Sequence, residues 1–263
     1  ETAMLRVFLA FLVLEGGAWP FTPAAAQLAP HRAFYDLTLA EAAGGLVDAR
    51  GAFAVEWRAA CAGTTSRQRL WFVGQTDEGG TFDYDVRFST WESADHARMR
   101  FSMRGFAGGT MVEEFRGTAS MPSDGGAGRA VYSVPEGVEV ALPPGTVFPT
   151  EHIDRLIALA RDRERIVTFA LFDGAGGIDD ALAEVTAVIG DAKSTARMGA
   201  EPAWPMALAY YPIAADDVET PEFEISFDLT ARGVMERVVL DYGDFALRAR
   251  LDELELLSRP HCD

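Results

Sequence analysis

From Ala33 onward, apolar and polar residues alternate with a period of two through most of the chain. That period fits strands with one buried and one solvated face, and few other structures. In "GLVDARGAFAVEWRA", Val47, Ala49, Gly51, Phe53, Val55 and Trp57 take one face, while Asp48, Arg50, Glu56 and Arg58 take the other. "TFDYDVRFST" sets Phe82, Tyr84, Val86 and Phe88 against Asp83, Asp85, Arg87 and Ser89. "ARMRFSMRGF" sets Met99, Phe101 and Met103 against Arg98, Arg100, Ser102 and Arg104. Three consecutive alternating runs follow from Phe223, Val234 and Phe245, joined at "ARG" and "YGD", which suit tight antiparallel hairpins. The pattern predicts a mostly β protein: a curved antiparallel sheet of about a dozen or more strands.

One segment leaves this period. In "PPGTVFPTEHIDRLIALARDRERI", Ile153, Leu156, Ile157 and Ala160 recur at helical spacing. Thr150 is an acceptable N-cap. Glu151 and Asp154 lie in the first turn and Arg161, Arg163 and Arg165 near the end, an order that complements the helix dipole. A single helix over about 150–163 is expected to cover one face of the sheet. No linker interrupts the alternation, so residues 27–263 are read as one domain.

Residues 1–26 read as an export signal. Arg6 gives a weak positive n-region, residues 5–14 supply a short apolar run that is too short to span a bilayer, and "AAA" at 24–26 is a small-residue cleavage site. The alternative is an apolar N-terminal strand. No later segment is long and apolar enough to cross a membrane as a helix, so the mature protein is expected to be exported and soluble. The chain has two cysteines, Cys61 and Cys262. In an oxidising compartment these are expected to pair across 201 residues, the alternative being two buried thiols.

A net charge of −17 argues against nucleic acid and against electrostatic docking on anionic lipid. Phosphate-loop, G-x-S-x-G, S-x-x-K and H-E-x-x-H patterns are missing from the sequence. His31, His96, His152 and His261 have no histidine partner at metal-ligand spacing. No cofactor, metal or catalytic residue is assigned. Glu151, His152 and Asp154 are the best candidates for a hydrolase, but neighbouring helical residues do not face one another. Phe53, Trp57, Phe82, Tyr84, Phe88, Met99, Phe101 and Met103, with Trp91 and Phe106, could line a concavity for an acyl chain. An ordinary hydrophobic core is the plainer reading of the same residues.

Several blocks together carry a family resemblance. "LAPHRAFYDLTL", "GLVDARGAFAVEWRAAC", "RFSTWE", "LPPGTVFPTEH" and "TPEFEISFDLTARGVMERVVLDYGDFALRARLDELELL…C" resemble, in order, the EipB family of Gram-negative envelope-integrity proteins. The similarity runs from about Leu28 to Cys262. It implies a periplasmic, non-enzymatic protein folded as a long antiparallel β-spiral with a helix inside its curve, and paired cysteines at Cys61 and Cys262. It also implies a shape similar to periplasmic lipoprotein carriers. The expected partner is an envelope protein bound at the outer sheet surface or an edge strand. The alternatives are a lipid or lipoprotein carrier using the concave apolar face and, further off, an envelope hydrolase.

Overall fold

A computed structural model of the chain describes residues 28–42, 44–175, 178, 180–195, 201–213 and 220–262. The expected signal segment, residues 1–26, lies outside them. The first half is a run of antiparallel strands: β1 (His31–Glu41), β2 (Leu46–Ala60), β3 (Gly63–Thr76), β4 (Thr81–Ser93), β5 (Arg98–Ala107), β6 (Thr110–Ser120), β7 (Gly128–Val134) and β8 (Glu136–Leu142). After helix α1 (Pro149–Arg161) come β9 (Ile166–Phe172), β10 (Leu182–Ile189), a short β11 (Lys193–Ser194), β12 (Pro202–Pro212), β13 (Phe223–Thr230), β14 (Met235–Asp241) and β15 (Ala246–Leu256).

Nearly every strand pairs antiparallel with its neighbour in sequence, as direct connections favour. Gly243, at a φ of 81°, allows one such turn, and Tyr242 N–H closes it on Phe245 O at 3.0 Å. The spatial order is β8-β7-β6-β5-β4-β3-β2-β1-β15-β14-β13-β12-β10-β9, with β11 beside β12. The two sequential halves meet at β1 and β15, paired from His31 opposite Leu256 to Glu41 opposite Ala246 with register shifts after Phe34 and after Leu39. The opposite ends of the sheet also approach: Val147, just after β8, bridges Leu171 of β9 in parallel. Val147 N–H donates to Ala170 O at 2.9 Å, and Phe172 N–H donates to Val147 O at 3.1 Å. The sheet is therefore a nearly closed, barrel-like spiral.

Helix α1 packs within the curve against β1 and the strands of the second half. Leu156 and Ile157 are fully buried in a core shared with Tyr35, Val185, Leu208, Leu229 and Leu247. Only Arg155, Ala158 and Arg161 form an exposed stripe along it. A second apolar cluster joins Met99 and Phe101 of β5, Tyr132 of β7, Phe148 before the helix and Phe172 of β9.

Three local expectations change. The helix runs over Pro149–Arg161 rather than 150–163, because Arg163 takes a left-handed φ of 65° beyond the Asp162 C-cap. Thr150 lies inside the helix; the N-cap position is Phe148, whose side chain cannot accept a hydrogen bond. Val47 leaves the inner face of β2. A bulge between Leu46 and Asp48 buries Leu46 instead and leaves Val47 52% exposed, since one extra residue reverses the faces beyond it.

Candidate functional site

The start of α1 needs an acceptor for its unpaired backbone donors. Pro149 at the first helical position has no N–H to satisfy. The next donor, Thr150 N–H, reaches across to β4 and the carboxylate of Glu92, at 2.8 and 3.1 Å to its two oxygens. The Thr150 hydroxyl donates to Glu92 Oε1 at 2.8 Å. Having spent its proton there, that hydroxyl accepts from Thr64 of β3, whose Oγ1 is 3.2 Å away. Glu92 thus caps the helix from another strand, where an anion is favoured by the helix dipole.

Glu92 is only 1% exposed. Burial pushes its carboxyl up to about 7, and the Thr150 hydrogen bonds act in the opposite direction. Sequence reasoning did not single it out, although a signal existed. Glu92 continues the inward phase of Tyr84, Val86 and Phe88, so a charge there must face the interior.

The three helix residues considered for hydrolysis have separate surroundings. Glu151 pairs with Arg155 one turn on, at 2.6 Å. The His152 ring is 3% exposed and packs edge-on against Phe169, with centroids 5.1 Å apart, and its Nε2 has no hydrogen-bond partner. Burial draws His152 down to about 4, so it is neutral at ordinary pH. Burial pushes Asp154 up to about 6, and the Arg259 charge opposes this. No hydrogen bond joins these groups into an acid–base pair.

The aromatic and methionine residues named as possible cavity lining divide between the two cores. Phe53, Trp57 and Tyr84 pack on the larger core beside α1. Met99 and Phe101 are buried in the second cluster, and Phe88 packs on it. Met103 is 5% exposed, and Phe82 is 41% exposed at the sheet rim, edge-on to Phe72. Trp91 and Phe106 lie beneath arginines on the outer face. Three open clefts, of about 500, 360 and 530 Å³, lie by the C-terminal end of α1, beside β11 and over β1–β3, and none is lined by these residues. Among the described residues, no group of three or more His, Cys, Asp or Glu side chains is arranged to hold a metal ion.

The cysteine sulfurs lie at disulfide distance, 2.12 Å, with Cα atoms 5.6 Å apart. The segment after β15 reaches Cys61 along the end of the barrel: Leu257 N–H donates to Pro30 O at 2.7 Å, and Arg259 donates to Leu28 O. Cys61 occupies the β2–β3 turn, two residues before Gly63, where that turn passes tightly over β4. A Cβ on Gly63 would fall 2.0 Å from Glu92 O. The bridge, the tight turn and the helix cap therefore occupy one end of the molecule.

The profile of a family described as EipB-like matches residues 22–258. The chain belongs to the EipB-like family. It is 30% identical over 244 residues to the cell envelope integrity protein EipB of Brucella abortus (strain 2308), covering 88% of this chain and 85% of that protein. Its fold matches the crystal structure of a β-barrel-like protein from Brucella abortus, assigned to a domain of unknown function. The TM-score is 0.82 with 29% identity, over 88% of this chain and 99% of the other. In this chain the blocks "RFSTWE" and "FPTEH", separate in sequence, meet at the helix cap.

Proposed function

We propose that the protein is a periplasmic, single-domain, non-enzymatic factor that maintains cell-envelope integrity by binding an envelope protein partner at its outer surface. The envelope role follows from the similarity to the Brucella envelope integrity protein. The observation favouring an outer-surface binder over an acyl carrier is the filled curve of the sheet. Leu156 and Ile157 on α1, and Phe148, Phe172 and Leu142 around it, are 0% exposed. An acyl chain would have to displace these close-packed side chains, whereas the outer face is open to a partner.

The test is a deletion strain challenged with detergent and complemented with the wild-type gene. A sensitive deletion restored by the wild-type protein supports the envelope role; an unaffected deletion overturns it. Native mass spectrometry of protein isolated from the periplasm without detergent then separates the two mechanisms. A bare polypeptide mass favours the partner-binding scaffold, and a retained lipid adduct favours the carrier. Loss of that adduct in a folded Phe101→Asp variant would place the lipid in the β5 cluster.

A further inference from the structure

The chain carries an excess of acid, yet the outer face of β1–β6 presents arginine. The unit is a carboxylate lying beneath several guanidinium groups. Glu56 accepts from Arg32, Arg58 and Arg67 at 2.6 to 3.2 Å. Asp85 accepts from Arg69 and Arg87 at 2.9 and 2.7 Å. Glu114 accepts from Arg104 and Arg116 at 2.9 and 2.5 Å. In each knot the arginine side chains are 45–66% exposed and the carboxylates only 10–19%. What a partner meets is therefore the cation. Seven arginines over these three carboxylates and the exposed Glu255, which also accepts from Arg32 at 3.1 Å, still leave a local excess of positive charge on a chain of net −17.

The register concentrates this charge. Arg69 faces Arg87 across β3 and β4, and Arg87 faces Arg104 across β4 and β5. Strands are about 4.8 Å apart, and like charges directly opposite one another destabilise a sheet. Asp85 and Glu114 offset part of that cost without neutralising the row. Arg87 lies over Phe106 at 4.7 Å and Arg100 over Trp91 at 4.4 Å, which holds both guanidinium groups against the sheet. At one end of the row, the cleft of about 530 Å³ has Arg67 and Arg69 at its rim beside Phe34, which is 40% exposed.

We propose that this arginine row is the docking surface for an acidic polypeptide segment of the envelope partner, its carboxylates on the guanidinium row and an apolar side chain against Phe34. This rests on the partner-binding reading above. Guanidinium groups match carboxylates through paired N–H donors, so charge and shape select such a segment. A planar anionic membrane fits less well. The row lies on a convex wall, and Glu253 and Glu255 border it at the β15 edge. Those acids would come within the screening length of about 8 Å of a flat anionic surface.

The test compares wild type with the triple variant Arg67→Gln, Arg87→Gln, Arg104→Gln, which leaves each carboxylate at least one arginine. With a poly-glutamate 20-mer as probe, wild type should bind in a salt-sensitive manner, and the variant, equally folded by circular dichroism, should bind at least tenfold more weakly. The variant should also fail to complement the deletion strain. Equal binding by both proteins, absence of wild-type binding, or full complementation by the variant overturns the proposal. Co-sedimentation of wild type with phosphatidylcholine vesicles containing about 30% phosphatidylglycerol, in the absence of peptide binding, also overturns it and makes the row a lipid contact. Failure of the wild-type gene to complement counts against the envelope reading instead.

Discussion

Glu92 on β4 caps helix α1 by accepting from both the backbone N–H and the hydroxyl of Thr150, each at 2.8 Å, across 58 residues of sequence. The contact ties the only described helix to the middle of the first half of the sheet. It also places a carboxylate where water scarcely reaches, and that combination has a pH signature.

The Glu92 carboxyl is raised to about 7, above its ordinary 4.5, chiefly by burial. Between these values the folded protein holds the proton more tightly than the unfolded chain does. This contribution to stability is fully present below pH 4.5 and is lost as pH rises through 7. Glu92→Gln keeps the shape and removes the titration. The stability of the variant relative to wild type should rise by about 3 kcal/mol between pH 4.5 and 8, read from urea unfolding at each pH. Parallel profiles for the two proteins would show that Glu92 does not titrate in this range.

His152 has the opposite sign. Its folded value of about 4 lies below the ordinary 6.5, because burial favours the neutral ring. Stability from this group is present above pH 6.5 and is lost as pH falls toward 4, by about 3 kcal/mol. His152→Phe keeps an aromatic ring against Phe169 and removes an unpartnered Nε2. The variant should be as stable as wild type or more so at pH 7, with a flatter acid limb. It should also complement the deletion strain. A folded variant that loses envelope function would instead give His152 a chemical role.

The bridge between Cys61 and Cys262 closes a loop with a sequence separation of 201. The chain-entropy account assigns roughly 5 kcal/mol to such a loop, at the upper end of the usual range. Reduction, or the Cys61→Ser, Cys262→Ser double variant, should lower the denaturant midpoint markedly. An unmoved midpoint would mean that the β1–β15 pairing alone holds the two ends.

Gly63 has a φ of 152°, and a Cβ there would meet Glu92 O at 2.0 Å. Gly63→Ala must therefore push the β2–β3 turn away from β4, disturbing both the cysteine turn and the helix cap. A loss of at least about 1–3 kcal/mol is expected, the usual cost of overpacking. A control at Gly79, which has open space around it but a φ of 83°, should show only the smaller cost of backbone strain.

The alternation of Phe53, Val55 and Trp57, of Phe82, Tyr84 and Phe88, and of the last three strands was enough to determine a long antiparallel sheet. The helical spacing of Ile153, Leu156, Ile157 and Ala160 determined the one helix among the described residues. These are local periods, carried by residues within a few positions of one another, so they are legible without coordinates. Tertiary structure alone decided the rest. Glu92 and Thr150 meet only because the sheet curls, and a periodicity assigns faces without assigning curvature. The same curl turned Met99 and Phe101 into packed core, since a concave face lined by large side chains becomes a cavity only where nothing fills it. The arginine row was hidden for a related reason. Arg69, Arg87 and Arg104 are ordinary outward charges on three separate strands, and only the pairing register, a long-range property of the fold, sets them side by side.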